Sequence, residues 1–153
     1  MKVIHLCKTD AGGAGKAASR LNTALNNAGV SSNMLVDKKV SDYKNIINPG
    51  TNKKKLSSIL HTKLNSARKR MINSKYPFSE GLFGRDLSKD KEVKEADIIH
   101  LHWVNDGFLS IKNIRKLAKL DKPIVWTLHD MWPFTGGCHY SLSCDKYKTH
   151  CGA

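Results

Sequence analysis

Four groups of residues in this chain have the types and spacing that chemistry needs. The first is Gly12-Gly13-Ala14-Gly15-Lys16, which follows an apolar run and opens a helical pattern. Glycine lets backbone amides approach a ligand closely, and a helix N-terminus favours an anion. A purely structural reading, a tight turn into the helix, stands beside it. The loop is not a Walker loop, because Asp10 occupies the place of that motif's first glycine and Ala17 the place of its Ser/Thr. It does not fit G-x-G-x-x-G either, so a phosphate-binding NTPase is a weak reading. The second group is His100 and His102 with Trp103 and Asn105. Side chains alternate along a strand, so the two histidines share a face. A histidine inside a buried strand is commonly a hydrogen-bonded core residue, which suits His100. For His102, nearer the strand end, both the core reading and ligand contact stay open. The third group is His129-Asp130. A carboxylate beside an imidazole can orient it or share its proton, and a capping pair in a loop is the alternative. The fourth is Cys138, Cys144 and Cys151 with His139 and His150. These are enough soft ligands for tetrahedral zinc. No C-x-x-C occurs among them, and three reduced thiols packed in a loop is the competing reading.

Positioning such groups requires elements. Met1 to Cys7 reads as a short buried strand. Ala14, Ala17, Ala18, Leu21, Ala24, Leu25 and Ala28 recur at helical steps, and Gly29 sits where a C-terminal glycine belongs. A second strand is expected at Asn33 to Val36, completing one βαβ unit, and a short third at Asn45 to Ile47. A polar helical stretch lies near Ser88 to Glu95. Asp97 to Trp103 reads as a strong strand, Leu109 to Leu120 as a helix, and Ile124 to Leu128 as another buried strand. The alternation predicts an α/β domain with a Rossmann-like parallel sheet and flanking helices. In such sheets ligands bind at the carboxyl ends of the strands. If the strand order is 3-2-1-4-5, the glycine loop, the His102 segment and His129 follow neighbouring strands. At about 4.8 Å per strand they fall within roughly 10 Å of one another.

Composition sets the outer bounds. The chain has 153 residues, 40% hydrophobic and 25% charged, which suits one globular domain over 1–153. There are 26 basic and 13 acidic residues, a net charge of +13. Such a balance attracts nucleic acid, anionic lipid or phosphorylated ligands. Eight of the basic residues lie within 53–75, which holds no acidic residue and carries Leu56, Ile59, Leu60, Leu64, Ala67 and Met71 on one helical face. This basic amphipathic helix reads either as a solvated face or as one lying on an anionic membrane. Nucleic acid is disfavoured, because the run lacks interleaved aromatics and no helix-turn-helix or RNA-recognition signature appears. No apolar stretch approaches membrane-spanning length, and the start is too short for a signal peptide, so a cytoplasmic location is expected.

Three segments together resemble a known family. They are Gly12-Gly13 before its helix, Ala96-Asp97-Ile98-Ile99-His100-Leu101-His102-Trp103, and the long run Trp126-Thr127-Leu128-His129-Asp130-Met131-Trp132-Pro133-Phe134-Thr135-Gly136-Gly137-Cys138-His139-Tyr140. They look like the amino-terminal half of family-four glycosyltransferases of the exopolysaccharide, colanic-acid and O-antigen type. The resemblance implies a GT-B enzyme of two Rossmann-like domains. The first domain mainly binds the acceptor, a saccharide or lipid-linked saccharide at the inner membrane face. The second binds most of the nucleotide-sugar donor. It further implies that His129, with Asp130 beside it, carries the catalytic role and faces the transferred sugar. Gly12, Gly13, Gly15, Lys16, His102, Trp103 and Asn105 would line the substrate site, and no metal is required for the chemistry.

Departures from the family pattern add to the expectation. Related loops often carry arginine where Lys16 stands, and no donor-binding domain with paired glutamates follows. Relatives continue past the Cys/His-rich loop of 138–153, so the chain resembles a truncated form that is inactive alone. The alternative from another class is a non-enzymatic binder of anionic membrane or nucleic acid through the basic helix.

Overall fold

The computed structural model describes residues 1–49 and 77–150. The basic stretch 53–75 and Cys151 lie outside the described residues. The chain divides into two units, Met1–Gly50 with Leu82–His129, and Thr51–Gly81 with Asp130–Ala153.

The first unit contains a five-stranded sheet of order β3-β2-β1-β4-β5, parallel throughout. Its strands are β1 (Lys2–Thr9), β2 (Ser31–Lys38), β3 (Ile46–Ile47), β4 (Ile98–Leu101) and β5 (Ile124–Trp126). The order 3-2-1-4-5 is the one on which the sequence argument depended. Both long strands exceed their expected spans, because each strand's backbone groups find partners as long as its neighbour runs alongside. The β1–β2 register holds from Lys2↔Ser31 to Thr9↔Lys38. β4 and β5 are shorter than expected, yet pairing continues past their ends. The His102 amide donates to the Leu6 carbonyl at 3.0 Å, and the Thr127 amide to the Leu101 carbonyl at 2.9 Å.

Among the described residues three helices flank the sheet: α1 (Gly12–Asn27), α2 (Lys91–Glu95) and α3 (Ile111–Ala118). The α1 helix begins two residues earlier than its alanine pattern suggested, so Gly12 and Gly13 form its first turn. Gly15 is packed so tightly on the end of β1 that a Cβ there would lie 2.4 Å from the Thr9 carbonyl oxygen. At the other end Gly29, with φ +79°, takes the left-handed turn after the helix. The start of α3 is fixed by a reciprocal cap. The Ser110 hydroxyl accepts from the Asn113 amide at 3.1 Å, and the Asn113 side-chain oxygen accepts from the Ser110 amide at 3.0 Å. That cap moves the helix start from the expected Leu109 to Ile111 and leaves Leu109 in the core.

Alternation along the strands creates two unlike faces. One carries Ile4, Leu6, Leu35, Ile99 and Leu101, buried with Val93 of α2, Leu117 of α3 and Phe108. The other carries Cys7, Met34, Val36 and Ile46, packed with Ala18 of α1. Among the described residues no helix is long and apolar enough to cross a membrane.

In the second unit, Phe78 and Cys138 form an antiparallel bridge. A short 3-10 turn, Trp132–Phe134, brings the Trp132 indole N–H onto the Ser79 carbonyl at 2.7 Å.

Candidate active site

The rim at the carboxyl ends of β1, β4 and β5 is where the sequence-predicted residues collect. Gly12, Gly13, Gly15 and Lys16 follow β1, His102, Trp103 and Asn105 follow β4, and His129 lies three residues beyond β5. The Lys8 amide donates to the Trp103 carbonyl at 2.8 Å and ties the first two of these segments together. Gly12 and Gly13 are exposed, and among the described residues no atom lies within 4 Å of where a Cβ would stand. No side chain caps α1 at Ala11. The amides of its first turn therefore remain for water or a ligand. Lys16 and Arg20, one turn apart, line a cavity of about 600 Å³ with Asp10, Ser19 and Tyr43. Asp10, which replaces a Walker glycine, accepts the Val40 and Ser41 amides at 2.8 Å each and so fixes the loop after β2.

Beneath the rim lies a feature that the sequence only half revealed. His5 sits opposite His100 in the β1–β4 ladder, on the face covered by α1. His102, two residues on, shares that face. The three rings pack together, His100 and His102 stacked with centroids 4.3 Å apart and His5 tilted 4.9 Å from His100. A hydrogen-bonded row crosses the strands. The Ser32 hydroxyl donates to the Asn22 side-chain oxygen at 2.7 Å, and Ser32 Oγ lies 3.1 Å from His5 Nε2. His5 Nδ1 is 3.0 Å from His102 Nε2, and His102 Nδ1 is 3.1 Å from His129 Nε2. With Ser32 donating to Asn22, each neutral ring has one consistent role. His5 donates from Nε2 to Ser32, His102 donates from Nε2 to His5, and His129 donates from Nε2 to His102. To one side, His100 Nε2 lies 2.8 Å from the Thr127 hydroxyl.

Electrostatics keeps these rings uncharged. Burial, reinforced by the neighbouring His100, pushes His5 down to about 4. Burial and the surrounding His100, His5 and His129 push His102 down to about 3. His100 is lowered by burial and by His129. His102 and Asn105 are each only 3% exposed, whereas His129 and Trp103 are half-buried. Of the histidines in the row, His129 therefore stands nearest the solvent side, with His102 behind it.

The sequence placed Asp130 beside His129 as an orienting carboxylate. In the second unit that carboxylate receives His139 Nδ1 at 2.5 Å and the Trp132 amide at 3.0 Å. His139 Nε2 lies 2.9 Å from the Ser79 hydroxyl. This Asp–His–Ser array has both His139 nitrogens engaged. Ser79's own amide donates to the Gly137 carbonyl at 2.9 Å, which makes the array a clasp between two loops. Of the proposed zinc ligands, Cys138 is partly buried and Cys144 exposed. His139 has both ring nitrogens engaged in the clasp. Among the described residues, the group of metal-ligating side chains close enough to share an ion is His5, His100 and His102.

Comparison with known proteins points one way. The chain is 33% identical over 83 residues to the colanic acid biosynthesis glycosyl transferase WcaC of Escherichia coli (strain K12), a provisional name for that protein. The similarity relates this chain to a glycosyltransferase. The match covers 48% of this chain and 20% of the relative. No family model matches the chain. No solved structure matches it either.

Sequence reasoning missed the roles of His5, Ser32, Asn22 and Thr127. A signal was present. An imidazole at the centre of a fully buried strand needs a partner, and His100 and His102 were the residues of matching chemistry.

Proposed function

We propose that this chain is the acceptor-side, amino-terminal part of a glycosyltransferase that moves a sugar from a nucleotide-sugar donor to a saccharide or lipid-linked acceptor. The process would be cell-surface polysaccharide synthesis at the inner face of the cytoplasmic membrane. The observation that carries this reading is the convergence of the uncapped α1 N-terminus and the His102–His129 pair on one rim of the sheet. The similarity to WcaC supports it from the sequence side. Because the chain spans only 20% of that relative, complete turnover is assigned to a longer polypeptide.

In this reading the exposed Gly12 and Gly13 amides and Lys16 face the diphosphate, where helix-terminal donors and a cation stabilise the charge of the leaving group. His129 hydrogen-bonds the transferred sugar. His102 and His5 are positioning residues, because the row behind His129 fixes which of its nitrogens is occupied. Gly15 acts indirectly, by letting α1 close onto β1.

The test is a nuclear magnetic resonance titration of the chain with nucleoside-diphosphate sugars. Shifts should concentrate at Gly12, Gly13, Lys16 and His129, and His129→Ala should weaken the effect up to about tenfold, as loss of one neutral hydrogen bond does. Shifts confined to other elements, or none at millimolar ligand, would remove the rim as the donor-facing site.

A further inference from the structure

We propose that His5, His100 and His102 form a site for a divalent transition-metal ion with imidazole preference, zinc above all. The ligands come from two adjacent strands, two of them in register as the His5↔His100 pair. One ring nitrogen from each lies within 4.8 Å of the others. Such a site is distinct from the cysteine loop; it shares His5 and His102 with the row behind His129, but it stands without the proposed function.

Two observations support it. The first is the spacing of His5 Nδ1 and His102 Nε2, 3.0 Å. Two nitrogens that far apart, each about 2.0–2.1 Å from a common zinc, subtend roughly 95° at the metal. Opening the pair by a few tenths of an ångström reaches a tetrahedral angle. The second is what the outer nitrogens do. Metal-ligating histidines almost always tie their other ring nitrogen to a fixed partner. Here His5 Nε2 is held by Ser32, His100 Nε2 by Thr127 and His102 Nδ1 by His129. All three candidate ligands have that partner, and Ser32 is braced in turn by Asn22.

The protons balance. Without metal, the His102 Nε2 proton sits between His102 and His5. On binding, His102 Nε2 and His5 Nδ1 each present a lone pair to the ion. His102 then carries its proton on Nδ1 and donates to His129 Nε2, while the His129 proton moves to its own Nδ1. Each ring keeps one proton. Three neutral ligands leave the ion's charge uncompensated, so the fourth position takes water, hydroxide or an anion from solvent.

The experiment is titration of the metal-free 153-residue chain with cobalt(II) as a spectroscopic probe, followed by zinc competition. One equivalent should bind with micromolar or tighter affinity. Its spectrum should show tetrahedral ligand-field bands without a thiolate charge-transfer band. Thr127→Val, at an exposed position, removes only the outer partner of His100 and should weaken binding at least tenfold. His102→Gln should abolish it, with circular dichroism reporting whether that variant folds. The double change Cys138→Ser, Cys144→Ser should leave binding unchanged. Absence of binding by the folded chain overturns the proposal. So does a thiolate band, loss of binding in the cysteine variant, or full affinity in Thr127→Val. If His102→Gln does not fold, the wild-type spectrum and Thr127→Val decide.

Discussion

The two faces of the sheet are built from alternate residues of the same strands, and they are held together by different physics. On the α2/α3 face, Ile4, Leu6, Ile99 and Leu101 interdigitate with Val93, Leu117 and Phe108. Each contact there is replaceable by another apolar group of similar volume, because dispersion and water exclusion are not directional. On the α1 face, His5, His100, His102 and Ser32 occupy equivalent strand positions, and their contacts are directional. A ring nitrogen that loses its partner there stays buried and unpaired, which costs more than the bond itself contributed. Stability can therefore be distributed over the first face, while on the second the polar row, set beside apolar Cys7, Met34 and Val36, must be satisfied as a set. A set of that kind earns its place by specifying geometry at the rim above it.

The sharpest separation of the two faces, and the largest expected effect, is their response to acid in the metal-free protein. His5 and His102 stay neutral in the fold down to about 4 and about 3, against 6.5 for a free imidazole. Between those values the unfolded chain binds more protons, so stability falls as pH drops from about 6.5 toward 4 and is level above about 7. Urea unfolding as a function of pH measures this. Replacing His5 with Gln should make the limb shallower in that window, with His102 and His100 keeping their share, and an unchanged limb would show that His5 does not resist protonation. An apolar-face variant should shift the whole curve down without changing its shape.

Leu101→Ala is that variant. Loss of a fully buried leucine costs about 2–5 kcal/mol, read from the urea midpoint. A value below 1 kcal/mol would mean that the apolar face is less closely packed than its burial indicates.

The glycine loop offers an internal contrast. Gly15→Ala should cost about 1–3 kcal/mol or more, because the new methyl meets backbone that cannot give. Gly13→Ala meets nothing and should change stability by no more than about 0.5 kcal/mol. Equal effects at the two sites would contradict the close approach of α1 to β1.

The smallest effect that still tests the polar face is Ser32→Ala, at about 1–2 kcal/mol. Imidazole ¹⁵N spectra should show the His5 proton no longer fixed on Nε2. An unaltered His5 spectrum would break the row at its buried end.

Local pattern made much of the architecture legible. An apolar run at Val3–Cys7 interrupted only by His5, helical alanine spacing through Ala28 and a glycine at 29 are short-range signals, and they placed β1, α1 and the βαβ unit. The parallel α/β class followed, because helices between strands impose crossovers. Element ends were less legible, since pairing and caps rather than pattern set them, as at Ser110 and Leu101. Of the candidate site, the residue types and their common rim were readable, but their partners were not. His129 was expected to meet Asp130, its chain neighbour. The structure adds partners from farther along the chain, His102 at His129 Nε2 and His139 at the Asp130 carboxylate. His5 and His102 are 97 residues apart in sequence and 3.0 Å apart in space. Sequence alone thus determined which segments are strands and helices, because that information lies within a few residues. Which imidazole meets which was decided by strand order and register, because a hydrogen bond needs placement to a fraction of an ångström, and only the assembled sheet supplies it.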